Sequence, residues 1–520
     1  MIPRLLLCLA QVVLVVLAGS SGSGNGGGSA DVCVVGAGAA GLAAASTLLT
    51  TTRGEQRRRV LVLEARPRAG GRVHTDHHSF TVPVERGAQW IHGVIDNPIA
   101  HIVTAMNVPY YVTDYDNTEI YDVDTVMEEH TTAALSADYE RVIEEVAHMQ
   151  ESTEADSSLA AAITDIYTRL GYTATQQRLT NFAIVDEIEL EYGTSSEKLS
   201  MWWWDTDEEL DGEDWWMPEG YDSVIDRLTE GCDIRYNQSV VSIDYSDESM
   251  AVITTASQNI FNCTKVIVTV PLGILKNGNI SFIPPLPSAT QHSIDHLEMG
   301  LLEKHFVHFT DSFWSNLTDF FYILDQDDSR YNLSEYVEIF NLDHYIDDAH
   351  LLCLFSSGDA AFDREKLSEN ERLQHLMSRL RQVWPAAPDP DNYVFTSWGN
   401  DPYTYGAYSS VGLGGSTDDR KAFRNPVENM LYFAGEHTSV CFPSTVHGAY
   451  LSGVNAAEVL MGGMQDDLCS WGSGIAWYES VVFIVIVCTF GCISLAGLLL
   501  WSCVIRRTGK PMVFSKNYAI

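Results

Sequence analysis

Positive charge is scarce in this chain. Lys and Arg number 31 against 70 Asp and Glu, a formal net charge of −39. A surface that acidic repels phosphate backbones, so nucleic acid is excluded as the partner. The summed field would instead draw in cations, although the same acids would also simply keep a surface solvated. Metal-ligand spacing is lacking as well. The 10 cysteines form no CxxC pair and no Cys/His cluster, and no metal site is expected. No internal repeat runs through the 520 residues. Apolar residues are not short: 46% hydrophobic and 10% aromatic content excludes global disorder, and the length leaves room for two domains or more.

The ends suggest a compartment. Residues 1–20 read as a secretory signal peptide, with Arg4 ahead of an apolar run, and 21–30 as a Gly/Ser-rich leader. Residues 481–505 are uncharged and exceed the ~20 residues that cross a bilayer. Arg506, Arg507 and Lys510 follow, which makes 506–520 a cytoplasmic tail. The expectation is a single-pass type I membrane protein with its body extracellular or luminal. Five sequons, at Asn237, Asn262, Asn279, Asn316 and Asn332, would then carry N-glycans. Cys33 and Cys353 sit in apolar runs and read as buried thiols, while Cys232, Cys263, Cys441 and Cys469 remain available to pair.

The most informative stretch runs from Asp31 to Glu64. A β-branched run (Val32 to Val35) leads into Gly36-Ala37-Gly38-Ala39-Ala40-Gly41, then an alanine-rich helix, then a second apolar run ending at Glu64. This spacing is that of a βαβ dinucleotide-binding unit. Gly36 makes the turn, Gly38 lets the backbone approach a pyrophosphate, and Gly41 lets helix and strand pack. The helix N-terminus offers its free N–H groups to the phosphates, and Glu64 would accept from a ribose hydroxyl. Downstream, Gly70-Gly71-Arg72 again permits close approach, with Arg72 placed to neutralise a phosphate.

Helical periodicity marks 134–149 and 176–191, and strand-like runs mark 239–245, 251–255, 265–270, 305–309, 336–340 and 351–355. Between them, 201–216 holds five tryptophans and a run of acids. It can line a channel for an alkylammonium ion through cation–π contact, or it can be core tryptophans beside a solvated turn.

Six ordered segments, VVGAGAAGL, VLEARPRAGGRVHT, ERGAQWIHG, PLGILK, FAGEHT and TVHGAYLSG, make the chain resemble the flavin-containing amine oxidases, and within them the polyamine oxidases, over about residues 30–465. The resemblance implies an α/β fold: a Rossmann-like FAD-binding domain of the glutathione-reductase type (30–105, 217–285 and 400–465) and an interleaved α+β substrate domain (106–216 and 286–399), followed by the transmembrane helix. It implies that Gly36, Gly38, Ala39, Ala40, Gly41, Glu64 and Arg72 hold FAD. Val241 would lie against adenine, Ala88, Gln89 and Trp90 near the isoalloxazine, and Glu436, Thr445 and Val446 along the rest of the cofactor. Lys304 matches the lysine that holds a water at the flavin, and Trp398, Tyr408, Thr445, His92 and Glu189 would border the substrate.

There are departures. His92 stands where plant enzymes carry glutamate, and it can accept from a substrate amine only while neutral. Ala407 replaces the cysteine that links flavin covalently in monoamine oxidases, so FAD is expected to be non-covalent. Thr445 replaces one aromatic wall of the plant enzymes, leaving Tyr408 as the other. The implied activity is oxidation of spermine, spermidine or acetylated forms by hydride transfer to the flavin, with O2 consumed and H2O2, an aldehyde and a shorter amine released. The alternatives are a secreted-type L-amino-acid oxidase, which needs a carboxylate-clamping arginine, and a non-catalytic cell-surface flavoprotein. Histone demethylation is set aside on the expected membrane placement.

Overall fold

The computed structural model describes residues 27–51, 58–122, 124–324 and 335–463. The chain divides into two compact units, Met1–Cys469 and Ser470–Ile520, and all the described residues belong to the first. Its N-terminal element is strand β1 (Gly28–Val35), followed by helix α1 (Ala39–Thr51) and strand β2 (Val60–Leu63). Strands β1 and β2 pair in parallel. Both are apolar along their whole inner length because helices or further chain cover both faces, as parallel sheets require.

Six further strands complete an eight-stranded sheet: Asp233–Arg235, Val240–Asp244, Ala251–Thr255, Ile260–Val268, Ser281–Ile283 and Leu431–Phe433. These come from segments nearly 400 residues apart, and β1 joins them by pairing with Ile260–Val268. The fifteen-residue helix Val446–Leu460 packs along α1, and Gly453 makes that approach possible: a Cβ there would lie 2.0 Å from the carbonyl oxygen of Ala40. The middle of the Val446–Leu460 helix is thereby set against the first turn of α1.

A second, seven-stranded sheet holds Thr118–Asp122, Thr125–Val126, Leu302–His308, Phe320–Leu324, Glu335–Asn341, Leu351–Ser357 and Asn392–Phe395. Helices Glu129–Ser152, Leu159–Leu170 and Ala174–Ile184 form an apolar cluster of their own around Val142, Ile163 and Ile184. A π-helical turn, Val185–Leu190, continues the last of them.

The single-pass membrane placement is corrected here. Among the described residues no helix is long and apolar enough to cross a membrane. Helix Glu129–Ser152 has the length, at 24 residues, but Asp138, Glu140, Glu144 and Glu145 forbid a lipid environment. Residues 1–20, 481–505 and 506–520 lie outside the described residues, so the extracytoplasmic placement and the glycans that followed from it lose their basis. Asn237, Asn279 and Asn316 are exposed, Asn262 is half-buried in its strand, and Asn332 lies outside the described residues. Cys33 is also not a thiol: it is joined to Cys263, with the Cα atoms 5.8 Å apart. Its partner is 230 residues away in sequence, a pairing that spacing cannot reveal. Cys353 is a buried free thiol, as expected.

Candidate active site

Gly36 has φ +111°, and a Cβ on Gly41 would sit 2.0 Å from the Gly36 carbonyl oxygen, so the first and third glycines are demanded by the fold itself. Gly38 differs. A Cβ there would meet nothing closer than the Gly70 carbonyl at 3.9 Å, and Gly71 lies alongside. The protein leaves this space open beside the first turn of α1. Glu64 is buried at the end of β2, its carboxylate accepting the N–H groups of Ala37 and Arg66 at 2.8 Å each. Val241 is the extra residue where the strand register shifts between Val240 and Ser242, a bulge that re-aims its side chain.

Arg72 Nη1 donates to Glu436 Oε1 at 2.8 Å and to the Ala407 carbonyl at 2.7 Å. Burial opposes the Glu436 charge, but Arg72 and the Ser409 hydroxyl hold its pKa down at about 2. Arg72 therefore links three distant segments as well as offering its remaining donors. Val446 is the first residue of its helix, and Thr445 caps it, accepting from Gly448 N–H at 2.9 Å. Nearby His437 is buried with both ring nitrogens unpartnered by protein. The open cradle at Gly38 beside the first turn of α1, buried Glu64 and this orphaned ring fit a dinucleotide.

Lys304 projects from Leu302–His308 into the 86–89 segment. Its Nζ donates to the Gly87 carbonyl at 2.8 Å and Gln89 Oε1 at 2.6 Å, and it stands 5.7 Å from the rings of Trp90 and Phe355. Burial lowers its pKa to about 8, against the pull of Glu85 and Glu338. Ala88 N–H donates to the Arg72 carbonyl. Trp398 reaches the same segment, Nε1 to the Arg86 carbonyl at 2.8 Å. Tyr408 donates to the Leu190 carbonyl at 2.7 Å.

His92 is 6.4 Å from Trp90, ring to ring, and Nδ1 lies 2.6 Å from Asp214 Oδ2. Its side chain is 50% exposed, so it borders a solvent-accessible space, the cavity of the site, beside Trp90 and Asp214. Tyr115 and Glu191 are likewise exposed, and Asp186, Glu338 and Tyr408 are half-buried. Burial and mutual repulsion raise the pKa of these carboxyls, that of Glu338 to about 8.

Structure and expectation part in two places. Glu189 is buried, with Oε1 engaged by Ser196 N–H at 2.9 Å and its hydroxyl at 2.6 Å, and it does not face the cavity. Two residues on, Glu191 acts on His92. The π-helical turn shifts the facing residue, which a regular helical period cannot foresee. The 201–216 stretch is split: Trp204, Trp215 and Trp216 are core, whereas Asp214 is the partner of His92. Glu338, Glu191, Asp214 and Tyr115 were not singled out from sequence. Glu338 had a signal, a lone acid inside the apolar run 336–340.

A glycine-rich βαβ turn with open space at Gly38 and buried Glu64, together with a buried lysine bonded to the 87–89 segment, suits a dinucleotide-dependent oxidoreductase. The comparisons agree. The family model described as flavin containing amine oxidoreductase matches residues 39–461. The chain is 33% identical over 414 residues to polyamine oxidase 3 of Oryza sativa subsp. japonica, covering 77% of this chain and 83% of that protein. It is 33% identical over 417 residues to polyamine oxidase 2 of Arabidopsis thaliana, covering 77% and 82%. Lysine-specific histone demethylase 1 homolog 2 of Arabidopsis thaliana is also 33% identical, over 78% of this chain but only 55% of that protein. Among solved structures, wild-type putrescine oxidase bound to putrescine superposes with a TM-score of 0.68 at 22% identity, over 84% of this chain and all of that one, a likeness of fold. The chain belongs to the flavin-containing amine oxidoreductases. It is a flavin-dependent amine oxidoreductase, and FAD is its cofactor.

Proposed function

We propose that this protein oxidises polyamines. The observation that carries the reading is the cavity wall: Asp186, Glu187, Glu191, Asp214 and Glu338 form a chain of acids within reach of one another's charge, and Asp214, Glu191 and Glu209 act on His92. Repulsion within such a cluster is relieved by a bound polycation. A substrate carboxylate would add to it, which disfavours an L-amino-acid oxidase. Histone demethylation no longer fails on compartment. It is disfavoured because this chain matches only about half of the demethylase length and most of the polyamine oxidases.

The division into an FAD domain (30–105, 217–285, 400–465) and a substrate domain (106–216, 286–399) follows the two large sheets and belongs to the same proposal. The 36–41 turn, Glu64, Val241, Glu436 and Val446 would hold FAD, non-covalently because Ala407 offers no nucleophile. Bound FAD supplies the two-electron oxidation of the amine and passes the electrons to O2, giving H2O2; hydrolysis of the imine gives an aldehyde and a shorter amine. The chain's own residues position and desolvate. Trp90 and Tyr408 confine the reacting carbon, and Lys304 holds a water by its Nζ. The carboxyls bind the distal ammonium groups, and neutral His92 accepts a hydrogen bond from the reacting amine. Spermine, spermidine and their acetylated forms are the candidate substrates.

Neutralising the wall tests this. Glu338→Gln with Glu191→Gln should raise the KM for spermine by about 10–100-fold, the worth of a hydrogen bond to a charged group, with a smaller change in kcat. An unchanged KM would remove the polycation reading.

The His92–Asp214 pair makes a pH prediction. Burial pushes His92 down, but the Asp214 hydrogen bond and the charges of Asp214, Glu191 and Glu209 carry its pKa above the ordinary value. The neutral ring therefore predominates only at higher pH. Asp214→Asn should lower that pKa and extend kcat/KM toward acid. A profile that moves the other way, or not at all, would rule out the accepting role.

A further inference from the structure

We infer that Glu303 and Glu365 share one proton and thereby position the two side chains, Lys304 and Trp398, that grip the 86–89 segment. The inference rests on the active-site reading of Lys304. Alternate residues of a strand leave on opposite faces, so Glu303 points away from the cavity that its neighbour enters. It is 1% exposed. Glu303 Oε1 accepts the backbone N–H of Trp398 at 2.6 Å, and Oε2 accepts the Thr396 hydroxyl. Thr396 Oγ1 in turn accepts the Lys304 N–H at 2.8 Å, and Thr396 N–H donates to the Lys304 carbonyl at 3.0 Å. The Glu365 carboxyl, just past helix Gly358–Arg364, accepts Gly399 N–H at 2.8 Å, the amide next to the Trp398 N–H that Glu303 accepts, so the two buried carboxyls are neighbours. A Cβ on Gly399 would come 2.7 Å from Glu365 Oε2, so this contact also requires the glycine.

Two buried carboxyls side by side on adjacent amides resist being ionised together. Their surroundings leave room for one negative charge. Arg372, on helix Glu369–Val383, acts on Glu365 and donates to Ser397 Oγ at 3.1 Å and to the Thr396 carbonyl. His305, on the same strand face as Glu303, bonds Ser356 and is held neutral by burial beside Arg372 and Arg364. One carboxylate, one carboxylic acid and one guanidinium make a balanced buried set. It ties the strand carrying Lys304 to the 396–399 segment carrying Trp398, and both of those side chains bond the carbonyls of residues 86 and 87. Glu303 is thus a positioning residue. Loss of the shared proton at alkaline pH sets two carboxylates against each other and loosens the grip.

The test uses the FAD-loaded enzyme and three variants, Glu303→Gln, Glu365→Gln and Glu303→Leu, read by infrared difference spectroscopy and by the pH profile of flavin reduction. The wild type should show a protonated-carboxyl band that shifts in D2O and is absent from both Gln variants. Glu365→Gln, whose amide can donate toward Glu303 at every pH while its oxygen keeps the Gly399 N–H, should stay within a few-fold of wild type near neutrality and keep its rate at alkaline pH where the wild type declines. Glu303→Leu should lose about 10-fold or more throughout, since 1 Å of misplacement can remove roughly 100-fold. Absence of the band, or identical alkaline limbs for wild type and Glu365→Gln, would overturn the inference. Lys304→Met, run in parallel, separates the two readings. Unchanged half-reactions there would sink the Lys304 role, while the band would still decide the shared proton.

Discussion

Replacing Lys304 by methionine is expected to slow turnover by roughly 100-fold or more, the usual range for removing a group that handles a proton or its water, while FAD stays bound. Methionine fills nearly the same volume and is tolerated in cores, so the strand should not move. What is lost is the donor that joins the Gly87 carbonyl and Gln89 Oε1. Cofactor retention follows from position: the residues around Gly38 and Glu64 make no contact through Lys304 Nζ. With its pKa drawn down by burial to about 8, the wild-type amine changes charge close to working pH. The variant should therefore also lose one ionisation from the profile of flavin reoxidation or reduction. Rapid-mixing measurement of the two half-reactions decides it, and wild-type rates in both would dismiss the role.

Gly38→Val should fold and yet emerge colourless. Most glycine-to-valine changes in this motif are uninformative because the fold fails first, as at Gly41, where the new atom would lie 2.0 Å from a backbone oxygen. Gly38 is the exception, since the nearest protein atom to an added Cβ is 3.9 Å away. The space is kept for something else. Free ligand at ~1,000 times its dissociation constant stabilises a protein by roughly 4 kcal/mol. Added FAD should raise the melting temperature of apo wild type and leave that of Gly38→Val unmoved. A yellow, FAD-stabilised Gly38→Val would contradict the cradle.

Those two sites differ in how they were written into the chain. The cofactor cradle was legible because its parts are close in sequence and each glycine answers a local demand: a turn, an open floor, a tight crossing. Val446 was legible as a helix start after Ser444-Thr445. The substrate wall was much less so. Its acids come from 186–191, 214 and 338, which only the long return of the chain brings together, and in an acidic protein no single carboxylate stands out. Glu189 shows the limit sharply, since one π-turn exchanged it for Glu191. The Glu303–Glu365 pair was invisible for the same reason, and Glu303, beside Lys304 and His305 in a strand of mixed character, lacked even the signal that Glu338 gave. The membrane placement failed differently: it rested on terminal segments, not on the body whose chemistry the folded residues define.

The central claim is that a polyamine sits in the acid-walled cavity and is oxidised there. It is tested most directly by mixing the FAD-loaded protein anaerobically with spermine, spermidine, N1-acetylspermine, L-leucine and a methyl-lysine histone peptide while following flavin absorbance. The account predicts rapid bleaching by at least one polyamine and none by L-leucine or the peptide. Bleaching by L-leucine or the peptide alone, or by nothing in the set, would contradict it.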